Sequence, residues 1–142
     1  MPFTDYGEEQ LLLHAFQGGI STNVFASLST TTPTKAGGNF TEPTDGNYAR
    51  VSVVANATNF PYTAGDPGRI NTGADIDFVA PAATYGSPVT YLGWHTALTG
   101  GNLICFGART PSITPQAGGR LYIESGALVQ ELGATDDTYT GT

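Results

Sequence analysis

An all-β fold is predicted by this sequence: an antiparallel β-sandwich or barrel, jelly-roll or immunoglobulin-like, with one short N-terminal α-helix. Three observations predict it. Nineteen glycines and nine prolines punctuate the 142 residues, and they cluster between short apolar runs, where turn residues belong. About seven of those runs have the length and composition of strands. One segment alone, at the start, carries its apolar residues at helical rather than alternate spacing.

The helix is predicted over residues 4–17. Thr4 and Asp5 both suit an N-cap, Glu8 stands three residues after Asp5 as in a capping box, and Asp5, Glu8 and Glu9 set negative charge at the positive end of the helix dipole. Tyr6, Leu11, Leu12, Leu13 and Phe16 supply the apolar stripe, and Gly18-Gly19 stops the helix. So short a helix draws its stability from packing. The first strand is Val24 to Ser29. A polar loop over 29–47 leads to Tyr48 to Ala55, where Ala49, Val51 and Val53 alternate with Tyr48, Arg50, Ser52 and Val54.

Residues 56–74, broken by Pro61, Gly65, Pro67, Gly68 and Gly73, read as a long irregular connection, and such loops tend to serve contacts. Ala74 to Val79 is the third strand, ended by Ala80-Pro81-Ala82. Val89 to Thr96 is the fourth, and Leu98-Thr-Gly-Gly-Asn102 turns the chain into the fifth, Leu103 to Ala108. Arg120 to Ile123 and Ala127 to Leu132 are expected to close the fold as a pair. Residues 1–132 then form a single β domain, and 133–142, with nothing to bury, a flexible acidic tail.

Charged residues make up only 12% of the chain, against roughly 25% in ordinary soluble domains. A surface of Thr, Ser, Asn and Gly has few long side chains whose entropy contact would remove, which suits a subunit packed against neighbours. The formal charge is −7, and the five bases, Lys35, Arg50, Arg69, Arg109 and Arg120, are scattered along the sequence. Nucleic-acid binding, which needs clustered bases to displace counterions, is not expected. No apolar stretch reaches membrane-spanning length and no leader is expected, so folding in the cytoplasm and relocation by assembly are expected.

Catalytic constellations are missing. Cys105, the lone cysteine, sits in Leu103-Ile-Cys-Phe106 as a buried small hydrophobe, so its thiol stays protonated beside His95 on the neighbouring strand. His14 lies among helix leucines and reads as structural. His95 follows Trp94 on a strand, so the two point to opposite faces, and if Trp94 is core His95 should be exposed or at an interface. Asp75-Ile-Asp77 puts two carboxylates on one strand face, which can hold a hard cation but equally suits a solvated face. Glycoside hydrolysis needs two carboxyls roughly 5–9.5 Å apart in a groove, and no acid here sits in such a motif. Phosphate-cradling glycine patterns are absent. No catalytic residue, metal ligand or cofactor is therefore assigned, and the chain reads as no enzyme. Phe25, Phe60, Phe78, Tyr91, Phe106 and Tyr122 should fill the core. The loop aromatics Phe40, Tyr62 and Tyr85 are the candidate anchors on a partner, with Lys35 and Arg69 as further partner contacts.

Four stretches occur together: Asp5-Tyr6-x-Glu8-x-x-Leu11-Leu12-x-His14, the block from Leu28 to Val51, Asn56-Ala-Thr-Asn-Phe60, and Trp94-His-x-Ala-x-Thr-Gly-Gly-Asn-Leu103. In these the chain resembles a family of small bacteriophage virion proteins, labelled phage tail fibre proteins and also met as head decoration proteins. The resemblance covers residues 4 to about 130. It implies a structural protein of the virion, assembled in the bacterial host cytoplasm. Small size and the lack of heptads or other shaft repeats favour a capsid decoration (cement) role over the alternative, a tail- or fibre-associated protein contacting the host surface. The expected partner is then the major capsid protein, bridged by a homo-oligomer, a trimer on threefold positions. Binding the assembled lattice alone would stabilise it by mass action.

Overall fold

The computed structural model describes residues 3–44, 47–65, 68–132 and 138–139. One helix, α1 (Asp5–Phe16), precedes nine strands: β1 (Asn23–Ser29), β2 (Val51–Val54), β3 (Arg69–Asn71), β4 (Ile76–Phe78), β5 (Val89–His95), β6 (Leu103–Ile113), β7 (Leu121–Ile123), β8 (Val129–Glu131) and β9 (Thr138–Tyr139). Five of them form a sheet in the order β2-β1-β5-β6-β9, and β3–β8 and β4–β7 form two separate ribbons. All pairs are antiparallel except β6–β9, which is parallel at Ala108↔Thr138 and Arg109↔Tyr139. Sheet and ribbons enclose the core, and they form no closed barrel. The acidic tail expected over 133–142 lies outside the described residues, apart from the two residues of β9.

Thr4, not Asp5, caps the helix, its Oγ1 accepting from the Gly7 amide at 3.2 Å. The capping box expected between Asp5 and Glu8 is therefore out of register. Gln17 ends the helix through its amide on the Leu13 carbonyl, and Gly18 follows at φ +94°. The buried stripe is narrower than expected. Leu12 and Phe16, one turn apart, face the core with Leu13 at its margin, whereas Tyr6 and Leu11 stand in solvent.

The expected closing pair does not form. Residues 121–123 align with β4 (Phe78↔Leu121) and 129–131 with β3 (Asn71↔Val129), so each closes on an earlier strand. β3 itself lies inside the connection that the sequence presents as irregular, three residues long between Gly68 and Gly73. β6 runs five residues past its expected end and is bulged near both ends, between Val89 and Tyr91 and between Trp94 and His95 of its partner. Between β5 and β6, Gly100 and Gly101 take φ +62° and +69°. A Cβ on Gly101 would lie 2.8 Å from Thr96 Oγ1, the atom that accepts the Asn102 amide.

Register sorts the sheet into two faces. Ala26, Trp94 and Cys105 lie side by side on the inner face, with Leu28, Leu92 and Gly107 in the next row. At the centre of the core Trp94 meets Phe60 edge-on at 5.3 Å and Phe16 at 6.3 Å, and Phe16 lies 5.1 Å from Phe60. Phe60 is planted there by its own loop. Asn56 Oδ1 accepts the Thr58 and Asn59 amides, and the Phe60 amide returns to the Asn56 carbonyl at 2.9 Å. Of the aromatics assigned to the core, Phe60 and Phe78 are buried; Phe25, Tyr91, Phe106 and Tyr122 are only half-buried. The first three of those belong to the outer face, because strand side chains alternate.

Removing the Phe60 ring should lower the unfolding free energy by about 3–5 kcal/mol, the usual cost of an aromatic cavity. Urea denaturation of Phe60→Ala checks this, and Phe25→Ala should cost clearly less.

Candidate functional site

Part of the outer face of the sheet is covered by the chain's own loop. Residues 30–44 form a lobe closed by internal hydrogen bonds: Thr30 amide to Thr41 carbonyl at 2.9 Å, Thr31 Oγ1 to the Asn39 carbonyl at 2.6 Å, and Asn39 Nδ2 to the Thr32 carbonyl at 2.7 Å. Ser29 Oγ anchors its base by accepting the Thr41 amide at 3.0 Å. The lobe lays Phe40 over the sheet, edge-on to His95 at 4.9 Å. Gly93 makes room for it, since a Cβ there would lie 2.7 Å from the Phe40 ring.

Arg50 ties this lobe to the rest. Its Nε and Nη2 donate to the two oxygens of Glu42 at 2.8 and 2.7 Å, while Nη1 donates to the Ala97 and Gly100 carbonyls at 2.6 and 2.8 Å. Tyr48 completes the cluster. Its hydroxyl donates to Glu42 at 2.8 Å and accepts the Leu28 amide at 3.0 Å. Leu28 lies two residues beyond the last β1–β2 pair, Ala26↔Val51, so a side chain serves there where the ladder has ended. The Arg50 side chain is only 6% exposed. Bidentate pairing of guanidinium and carboxylate is the geometry that makes such burial tolerable.

The electrostatics follow from burial and charge. Burial favours the neutral form of Glu42, but the hydrogen bonds from Arg50 and Tyr48, with the guanidinium charge, outweigh it and hold the carboxyl below its usual value. Burial first, then the negative charge of Glu42, pushes the Tyr48 phenol up. Burial and, second, the Arg50 charge depress His95.

His95 is 5% exposed, contrary to the expectation of an exposed or interfacial ring. Alternation does put it opposite Trp94, but the lobe covers that face too. Its Nδ1 lies 2.7 Å from Ser27 Oγ, and Ser27 donates to the Gly93 carbonyl at 3.0 Å. A hydroxyl has one hydrogen, so while Ser27 donates it to the Gly93 carbonyl its oxygen accepts from Nδ1–H. In that arrangement the imidazole supplies a proton toward the serine and cannot act as its base. Ser27 is wholly buried as well. The pair is a structural strut between β1 and β5.

The other candidates are dispersed. Tyr85, expected on a partner, is a core residue at 3% exposure, held by its amide on the Pro115 carbonyl at 2.9 Å. Phe40 spends its ring on its own sheet, and Tyr62 packs half-buried against the core. Lys35 is exposed near the lobe's tip, and Arg69 pairs with Glu131 across β3–β8. Asp75 accepts the Ser125 amide at 2.8 Å, and Asp77 pairs with Arg120 at 2.9 Å. No group of three or more potential metal ligands occurs among the described residues. Two open clefts flank β6. One, of about 200 Å³, lies on the inner side against β8; the other, of about 480 Å³, lies on the outer side against residues 32–37. Cys105 lines both and is half-buried rather than enclosed.

What the geometry defines is a β-rich protein whose polar clusters hold shape. The family described as "Podophage GP4 fiber I protein gp80" matches residues 2–131, and the chain belongs to it. It is thus a member of a phage tail fibre and virion protein family. No curated protein matches the chain. No helix among the described residues is long and apolar enough to cross a membrane.

Arg50→Ala would leave Glu42 and two carbonyls short of a donor, and should destabilise the fold by about 2–3 kcal/mol. Removing Arg120 from its solvent-exposed pair should barely move the denaturation midpoint. A depressed histidine pKa adds stability that is complete above its ordinary value of 6.5 and is lost as pH falls toward the folded value. Glu42 acts in the same direction at lower pH, below its ordinary 4.5. Stability should therefore fall on acidification below about pH 6.5, and His95→Asn should flatten the upper part of that fall in urea titrations.

Proposed function

We propose that the chain is a fibre-associated structural subunit of the phage particle, acting through shape and contacts rather than through chemistry. The observation that carries this reading is the family match over residues 2–131, whose description names a fibre protein. Supporting it, the best-formed polar clusters are used internally: Arg50 and Glu42 brace the lobe, and Ser27 and His95 brace the sheet. Of the two virion roles expected from the sequence, the family's description names the fibre. Capsid decoration as a trimer bridging major capsid subunits has no such support.

Copy number separates the two roles. Quantitative mass spectrometry of purified particles, referenced to the major capsid protein, should find a few to a few dozen copies per virion, as an appendage requires. Immunogold label should fall on the tail or its fibres. Hundreds of copies spread over the shell would overturn the fibre role and restore decoration.

A further inference from the structure

The lobe over residues 30–44 lies on the sheet without entering the core. The core cluster draws on Leu28 before it and Tyr48 after it, but on none of its own residues. Pro33 and Pro43 are its buried residues, and residues 34–39 are exposed. Its hydrogen bonds close it largely on itself, as from the Thr34 amide to the Gly38 carbonyl and from the Gly37 amide to the Thr34 carbonyl. Beyond its base at Ser29, it grips the rest through Phe40, above Gly93, and through Glu42, on Arg50 and Tyr48. The pairing of β1 with β2 and β5 is complete without it. A segment attached in this way is the kind that opens locally.

Beneath it lies the residue type that titrates nearest neutrality. His95 hydrogen-bonds through Nδ1 to Ser27, and among the described residues no hydrogen bond occupies its Nε2. Its neighbours come from every side. β1 brings Ser27 and Phe25, β6 brings Leu103, the lobe brings Phe40 and Glu42, and Arg50 stands just before β2. Tyr48, bonded to Glu42, stays neutral throughout the acidic range. The two charges divide: Glu42 favours an imidazolium and Arg50 opposes it. Glu42 is already committed, with both oxygens on Arg50 and one also on the Tyr48 hydroxyl. Enclosure opposes the charge more than either.

We propose that the lobe is an acid-opened cover: when His95 takes a proton from solvent on Nε2, Phe40 lifts from Gly93 and residues 30–44 come away from the sheet while the core stays folded. The added proton makes a cation where the lobe excludes water, and a buried charge without a partner is costly. Lifting the lobe hydrates it and breaks no strand pair. The open state holds the proton more tightly than the closed one, so added protons favour opening by linkage. Opening also uncovers the outer face beside Tyr91 and Phe106, which share a cleft with residues 32–37. The device is a property of the chain itself and is independent of which part of the particle it occupies.

Nuclear magnetic resonance of the full chain tests it, titrated from about pH 7.5 to about pH 5, a range in which Glu42 stays ionised. The His95 ring should titrate below its ordinary value of 6.5. The amide signals of Thr34, Gly37 and Thr41 should move with the same midpoint, toward positions typical of unstructured chain. Those of Phe60 and Trp94 should not follow. Phe40→Ala removes the cover and should raise the His95 midpoint toward 6.5. His95→Asn should abolish the lobe's transition in this range. A His95 that stays neutral down to about pH 5, or that titrates while the lobe signals stay in place, would overturn the proposal. So would lobe and core signals that move together, or a midpoint that Phe40→Ala leaves unchanged. The wild-type titration decides the matter even where a variant folds poorly.

Discussion

The guanidinium of Arg50 is the point on which the outer half of this molecule depends. From one side chain it reaches the carboxylate of Glu42 in the lobe and the carbonyls of Ala97 and Gly100 in the β5–β6 turn. These segments are far apart in sequence and share no backbone ladder. The lobe contributes Phe40, and Phe40 closes the outer face over His95. Burial of His95, the direction of its proton affinity and the strut to Ser27 follow from that cover. Tyr48 extends the cluster to the backbone of β1. A lysine could not substitute, since a point charge cannot serve two carboxylate oxygens and two carbonyls in fixed directions.

This constraint also explains what the sequence disclosed and what it hid. The alternation in Tyr48 to Ala55 was legible, and it put Tyr48 and Arg50 on one face two residues apart. That spacing was the available signal for the clamp. Its third member, Glu42, lies across a polar loop, and no periodicity links it to them. That Trp94 and His95 take opposite faces was legible from their strand. The burial of His95 was not, because alternation says which face a residue takes but not whether a distant loop covers it. The same gap explains Tyr85 and Phe40. Loop aromatics are ambiguous until the loop's path is known, and both loops fold back. β3 was hidden for a different reason, being too short to show a period. By spacing the exposed Tyr6 belongs to the apolar stripe, of which only Leu12 and Phe16 are buried.

The family match and the geometry bear on function at different levels. Membership in a phage fibre and virion family concerns what the chain belongs to. The internal use of Arg50, Glu42, Ser27 and His95 concerns how the fold is held, since these groups bond to one another within the chain. The words that carry the family resemblance largely coincide with these supports. Asn56 to Phe60 plants a core ring, Trp94 to Leu103 forms the strand and turn that the guanidinium holds, and Leu28 to Val51 supplies the lobe and the guanidinium itself.

Native-state hydrogen exchange is the most direct measurement of that central constraint. If Arg50 couples the lobe to the turn, replacing it with lysine should weaken both together. Protection at Thr30, Thr34 and Gly37 in the lobe should drop along with that at Thr96 and Asn102 in the turn. Protection of the distant β3–β8 ribbon, at Thr72 for example, should stay unchanged. Loss in only one of the two segments, or in neither, would contradict the account.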